Sequence, residues 1–168
     1  MNSKKDKVLD IVKGAILLEH RGKALYESVA QKTDVESVKE LFAMLADEEG
    51  KHVAILNKQY ARVSKGEDFD STGLEAVKGT TADAVLSGKI VKGVSGAGYE
   101  AAVIAAALEF EKNAVKYYSE HETTAASQEE KKFFNWLVKW ETDHMTMLAQ
   151  IDNQIKEDIW YDNNFWPQ

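Results

Sequence analysis

Apolar residues recur every three or four positions along four long stretches of this chain, a spacing typical of amphipathic α-helices packed in a bundle. The pattern predicts a first helix over residues 4–32 and a second helix that ends near residue 64. It predicts a third helix over 96–123 and a fourth that ends near residue 157. The single proline lies at position 167, beyond all four stretches. No proline therefore interrupts the hydrogen bonding inside the predicted helices.

The segments between these stretches predict how the helices are arranged. Thr33–Glu36 and Ser127–Glu130 both have the Ser/Thr-x-x-Glu pattern of a capping box at a helix start. Such short connections make antiparallel neighbours, so the chain forms two helical hairpins. Residues 65–95 are rich in Gly, Asp, Ser and Thr and predict a long crossover, with a short helical turn at 81–86.

The expected architecture is therefore all-α: a single domain over 1–168, built as an antiparallel four-helix bundle with a long crossover between its second and third helices. The hairpins cover about 4–64 and 96–157, joined by the crossover at 65–95. The aromatic tail, 158–168, is expected to pack on the bundle or on a partner subunit.

Charged residues interrupt the apolar stripes at six positions. The second and fourth helices each carry Glu-x-x-His in the stripe, which points a carboxylate and an imidazole at the same target. The first and third helices each carry one carboxylate in the stripe. Burying ionised carboxylates without compensation costs several kcal/mol, so the pattern predicts a bound metal ion. The six candidate ligands are Glu19, Glu49, His52, Glu111, Glu141 and His144.

The two hairpins are copies of one pattern. A constant offset of 92 residues relates all the candidate ligands of one hairpin to those of the other, and it also relates Tyr26 to Tyr118. Two copies related by a pseudo-twofold axis would place four carboxylates and two imidazoles around one point. The alternative is a pair of ordinary buried Glu–His hydrogen bonds, but that interpretation leaves Glu19 and Glu111 unexplained.

The ligand types indicate which metal is expected. Four carboxylates and two imidazoles without any thiolate suit iron or manganese better than structural zinc. Two divalent cations would balance the four negative charges of the glutamates. One Glu from each of two helices and Glu-x-x-His from each of the other two is the ligand arrangement of di-iron carboxylate bundles.

Composition and charge narrow the classes of protein to which this chain could belong. The chain has 168 residues, a formal net charge of −7 and no cysteine. The negative charge opposes binding to nucleic acid or to an anionic membrane. No apolar run reaches the length of about 18 residues that a membrane span needs. The N-terminal residues lack the apolar core of a signal peptide, so we expect a cytoplasmic protein.

On the four helices and the paired Glu-x-x-His motif, the chain resembles the rubrerythrin family of the ferritin-like superfamily. The resemblance implies two iron ions per chain, with manganese or zinc as possible substitutes, and bridging roles for Glu49 and Glu141. It implies that Tyr26 and Tyr118 are hydrogen-bonded to carboxylates across the site. The other four ligands would each bind one iron: Glu19, His52, Glu111 and His144.

Three features depart from that family's pattern. Typical members carry a rubredoxin-like domain with four cysteines, and this chain has none, so electrons must come from an external donor such as a rubredoxin-like protein or a reductase. Typical members also carry an extra Glu where this chain has Ala114. The neighbouring bacterioferritins have a haem-binding Met where this chain has Gly50, so no haem is expected.

The resemblance implies a non-haem di-iron oxidoreductase that reduces hydrogen peroxide or dioxygen, and a homodimer. Ala114 and the symmetric ligand set favour an alternative, a ferroxidase that handles iron. A structural or sensory metal site and an oxygenase with an organic substrate also remain open.

Structural roles are expected for the residues beside the candidate ligands. Glu48 and Asp143 are expected to be solvated. Trp136 and Trp140 are four residues apart and should pack together along the fourth helix. Core packing alone is an alternative role for the two tyrosines.

Overall fold

The computed structural model describes residues 4–77, 79, 89–94 and 98–161, with side chains described as far as residue 158. Within these ranges the chain forms five α-helices and one 3-10 helix, and no β-strand. Their bounds are α1 Lys4–Lys32, α2 Glu36–Ser64, the 3-10 helix Leu74–Ala76, α3 Lys89–Gly93, α4 Tyr99–Thr124 and α5 Gln128–Tyr161. The prediction of an all-α bundle with four long helices is confirmed.

The ends of the elements differ in detail from the sequence-based expectation. Helix α5 continues to Tyr161 rather than ending near 157, so the first part of the aromatic tail is helical. The short helix α3 was not predicted, because five residues are too few to show a periodic stripe. The expected turn at 81–86 and the rest of the tail lie outside the described residues.

The long helices pack as two hairpins, α1 along α2 and α4 along α5. Their buried side chains form two apolar clusters, each with residues from all four long helices. We call one the Phe42 cluster, which includes Tyr26, Ile104 and Ile151. We call the other the Phe134 cluster, which includes Val12, Leu56 and Tyr118. Along each long helix the candidate ligands fall between the residues of the two clusters, so they occupy the middle of the bundle.

The two predicted capping boxes have different outcomes. At α5, the Glu130 amide donates to Ser127 Oγ at 3.0 Å, and Glu130 Oε2 accepts from the Ala126 amide at 2.8 Å. Ser127 is therefore a side-chain cap, as predicted.

At α2 the predicted box is wrong. The N-cap residue is Val35, which makes no side-chain capping bond. The Thr33 hydroxyl instead donates to Glu100 Oε1 at 2.9 Å and accepts from the Val35 amide at 3.1 Å. Because its hydroxyl is engaged by a carboxylate of α4, Thr33 joins the two hairpins and does not cap a helix.

Helix α2 ends in a Schellman motif that directs the chain into the crossover. Gly66 has φ of +85° and donates to the Val63 carbonyl at 3.0 Å, while the Glu67 amide donates to Arg62 at 3.1 Å. The following residues are bound to α2, because Gln59 exchanges two hydrogen bonds of 2.9 Å with the backbone of Asp70. The start of the crossover is thus fixed on the bundle.

Candidate metal centre

The fold brings all six candidate ligands together. Each is at most 2% exposed. Their donor atoms form two groups within which every atom lies within 4.8 Å of the others. The groups share two carboxylates, Glu49 and Glu141, as expected for residues that bridge two ions. One group is Glu19, Glu49, His52 and Glu141, and the other is Glu49, Glu111, Glu141 and His144.

Both imidazoles present the same nitrogen to the carboxylates. His52 Nδ1 lies 3.0 Å from Glu19 Oε2 and 3.0 Å from Glu141 Oε1. His144 Nδ1 lies 3.3 Å from Glu141 Oε2 and 3.6 Å from Glu111 Oε1. In each half, one imidazole nitrogen and several carboxylate oxygens therefore converge on one space.

Several of these buried atoms have no hydrogen-bond partner among the described residues. Buried polar atoms are nearly always paired, since leaving them unpaired costs about 1–3 kcal/mol each. Ions placed between the converging oxygens and nitrogens would satisfy most of them, so the residues present fit a two-metal centre. The unpaired atoms are Glu49 Oε1, His52 Nε2, Glu111 Oε2, Glu141 Oε1, Glu141 Oε2 and His144 Nδ1.

The protonation of the cluster reflects its burial and its crowded charges. Burial raises the pKa of Glu49 well above the usual carboxylate range, and the charges of Glu19 and Glu141 raise it further. Burial and Glu141 raise the pKa of Glu111 to about 7, although His144 opposes the shift. Burial lowers the pKa of His52, but Glu141 and Glu19 outweigh it and raise that pKa to about 10. Metal ions must therefore displace protons when they bind.

Two tyrosines bridge the hairpins, Tyr26 on the side of the Phe42 cluster and Tyr118 on the side of the Phe134 cluster. Tyr26 Oη, from α1, donates to Glu111 in α4, and Tyr118 Oη, from α4, donates to Glu19 in α1. Burial and the neighbouring carboxylates raise both tyrosine pKa values well above their ordinary value, so both hydroxyls stay protonated as donors. These hydrogen bonds orient two of the candidate ligands, while a catalytic role for the tyrosines stays a prediction.

The structure overturns the prediction that Glu48 is solvated. Glu48 is 2% exposed, lies 2.6 Å from His144 Nε2 through its Oε2, and accepts a 3.0 Å hydrogen bond from Trp140 Nε1. Asp143 is exposed, as expected. Trp136 and Trp140 pack together as predicted, with ring centroids 5.1 Å apart. The sequence signal for Glu48 is its spacing, one residue off the stripe and four before His52.

The crossover reaches this part of the site. A Cβ atom on Gly79 would lie 3.0 Å from Trp140 Cε2 and 3.1 Å from Nε1. Glycine therefore lets the crossover backbone lie directly against the indole. Gly79 of the crossover therefore lies against the Trp140 edge of the candidate centre.

A four-helix bundle with two overlapping carboxylate–histidine groups at its middle defines the class, a ferritin-like protein with a candidate di-metal centre. The sequence model of the Rubrerythrin family matches residues 10–152, and the chain belongs to that family. The matched range includes all six candidate ligands and both bridging tyrosines. No curated protein and no solved structure matches the chain. None of the helices formed by the described residues combines the length with the apolar character that a membrane span requires.

Proposed function

We propose that this protein is a di-iron oxidoreductase that reduces hydrogen peroxide, or dioxygen, with electrons from an external donor. The observation that carries the proposal is the pair of ligand groups sharing Glu49 and Glu141, in a chain of the Rubrerythrin family. Two ferrous ions bound there would supply the two electrons that, with two protons, convert hydrogen peroxide into two waters.

The protein's own residues hold and isolate such a centre. Glu49 and Glu141 would be shared between the two ions. The first hairpin would add Glu19 and His52 to one ion, and the second hairpin would add Glu111 and His144 to the other. The Phe42 and Phe134 clusters lie on either side along the helices and keep bulk water away. The hydroxyls of Tyr26 and Tyr118 donate hydrogen bonds to Glu111 and Glu19, which fixes the position of those carboxylates.

The proposal includes a redox partner. The chain has no cysteine, so it contains no thiolate-bound iron to deliver electrons. A rubredoxin-like protein or a reductase is the proposed donor, a second copy of the chain is the proposed subunit partner, and the cytoplasm is the proposed compartment.

A ferroxidase that oxidises Fe(II) and passes it on is the second candidate. Ala114, 2% exposed on α4, stands where typical family members are expected to carry an additional Glu. The six remaining ligands are then symmetric about the centre. This candidate predicts that the chain oxidises many Fe(II) ions in succession, whereas the first predicts that the bound irons are retained.

Stopped-flow absorption on anaerobic, ferrous-loaded protein mixed with peroxide or dioxygen distinguishes the two candidate functions. We expect faster oxidation by peroxide than by dioxygen, at one peroxide consumed for each pair of irons. Asp143→Asn is a matched control, because it removes an exposed carboxylate beside His144 and should react like the wild type. Faster oxidation by dioxygen with continuing consumption of added Fe(II) would establish the ferroxidase instead. Iron that stays ferrous with both oxidants would refute both candidates.

A further inference from the structure

The two halves of the centre differ just outside their ligands. The 92-residue offset that relates the ligands also relates Glu48 to Trp140. A carboxylate and an indole thus occupy equivalent positions in the repeat. Each of these side chains lies against the histidine of the opposite hairpin, Glu48 on His144 and Trp140 on His52.

On one side, the outer nitrogen of the imidazole has a strong partner. His144 Nε2 lies 2.6 Å from Glu48 Oε2, and both side chains are 2% exposed. A hydrogen bond from Nε2–H to a carboxylate fixes the tautomer, so that the lone pair of Nδ1 faces the centre. It also makes the imidazole a more basic ligand. Trp140 Nε1 donates to the same Glu48 oxygen at 3.0 Å and holds it in place.

On the other side, the described residues offer no such partner to the imidazole of His52. His52 is fully buried, and its Nε2 has no hydrogen-bond partner among the described residues. Its ring instead meets two indoles edge-on, Trp140 at 4.9 Å and Trp136 at 5.7 Å between centroids. An indole N–H is only a donor and cannot accept a proton from His52 Nε2. Within the described part of the chain, no residue comparable to Glu48 fixes the tautomer of His52 or strengthens it as a ligand.

We propose that the two metal subsites have unequal affinities, that the subsite of Glu111 and His144 fills first, and that Glu48 is the positioning residue that causes the difference. The inference rests on the di-metal centre of the proposed function. It makes the ion beside His52 the more exchangeable one. The ligand set itself is symmetric, so the inequality originates in Glu48 and Trp140.

The test is a Co²⁺ titration of the metal-free full-length protein, followed by visible absorption in competition with a chelator. We expect two binding steps for the wild type, with dissociation constants at least about tenfold apart. In Glu48→Gln, which keeps the size and removes the charge, we expect the tight step to weaken by about 10–100-fold and the weak step to change by less than about threefold. Glu48→Ala should weaken the tight step further, because it also removes the hydrogen bond.

A second readout follows the hydrogen bond directly. In the Co²⁺ protein, the paramagnetically shifted N–H proton of His144 should exchange slowly with solvent, and that of His52 faster. The slow signal should be lost in Glu48→Ala. The matched control is Asp47→Asn, which removes a carboxylate one residue earlier on an exposed position of α2 and should leave both steps unchanged.

The outcomes separate this inference from the proposed function. Two equal steps in the wild type would overturn the inequality and leave the metal centre standing. An unchanged tight step in a folded Glu48→Gln would overturn the role of Glu48. A protein that binds no Co²⁺ at all would overturn the metal centre, and this inference with it.

Discussion

The hairpin of α1 and α2 and the hairpin of α4 and α5 place their candidate ligands in the same register but surround them differently. Each contributes one Glu, one Glu-x-x-His pair and one bridging Tyr, all at a constant offset. Around the candidate ligands, the repeat places Val35 at the position equivalent to Ser127, and Glu48 at the position equivalent to Trp140. The repeat is thus symmetric in its candidate ligands and bridging tyrosines, and asymmetric at the pair Glu48 and Trp140.

This difference shows that the candidate ligands and the residues around them meet different requirements. Ligand atoms must converge within a few ångströms on one space, so their positions in both hairpins are tightly constrained. The outer residues only have to fill volume and satisfy buried polar atoms, which a carboxylate and an indole do in different ways. Matched substitutions across the repeat therefore test which properties of the centre are shared by its halves.

The largest effect is expected from the shared carboxylates. We expect Glu49→Gln or Glu141→Gln to reduce bound metal from about two ions per chain to well below one, because each shared oxygen pair serves both ions. Glu19→Gln and Glu111→Gln should each retain about one ion, because they touch one group only. Metal analysis after dialysis measures the content. Equal losses in all four variants would show that the groups do not share Glu49 and Glu141 as bridges.

The next effect concerns the metal-free protein and its dependence on pH. The raised pKa of Glu111, about 7 against an ordinary 4.5, means that the folded state binds more protons than the unfolded state between these values. Stability should therefore fall as pH rises through this window, by roughly 3 kcal/mol from this group alone. His52, with its pKa raised from 6.5 to about 10, stabilises the fold fully below pH 6.5 and loses that contribution as pH rises through 10.

Urea denaturation of chelator-treated protein between about pH 5 and pH 9 measures this trend. Glu111→Gln is the matched variant and should flatten the fall between pH 4.5 and 7. The metal-loaded protein should show the opposite slope, because binding requires deprotonated ligands. A metal-free protein that becomes more stable as pH rises would contradict the expectation.

Two independent patterns in the sequence agree on the six candidate ligands, which the fold brings together. Helical periodicity placed Glu19 and Glu111 in apolar stripes, and the repeat confirmed their register. The prediction for Glu48 is wrong because a carboxylate on the flank of an apolar stripe is solvated unless a neighbouring helix covers it. The sequence does not show that His144 and Trp140 cover Glu48. The predicted cap at Thr33 is wrong for a similar reason, since its partner Glu100 is 67 residues away in the sequence.

A smaller and symmetric effect is expected from the two tyrosines. Tyr26→Phe removes the hydroxyl donor to Glu111, and Tyr118→Phe removes the donor to Glu19. Each should weaken one Co²⁺ step by about tenfold, the lower end of what outer-partner substitutions cost. The two variants should affect different steps, with losses that agree within about threefold. If one of the two variants left both Co²⁺ steps unchanged, the two tyrosines would not be equivalent, and the asymmetry seen at Glu48 and Trp140 would extend to them.

The smallest expected effect concerns stability at the N-termini of α2 and α5. Ser127 and Val35 occupy equivalent positions in the repeat, but only Ser127 caps its helix with a side chain. Its hydroxyl also donates to Asp68 at 2.8 Å. We expect Ser127→Val to destabilise the protein by about 1 kcal/mol, because the Glu130 amide loses its acceptor.

The reverse change, Val35→Ser, should shift stability by less than about 0.5 kcal/mol, since the gained cap is offset by lost packing. Val35 packs against the Phe42 cluster, so serine gives up apolar contact when it gains a hydroxyl. Urea midpoints with unchanged m-values measure both variants. If Val35→Ser stabilised the fold by as much as Ser127→Val destabilises it, capping alone would decide both positions, and packing of Val35 would contribute nothing.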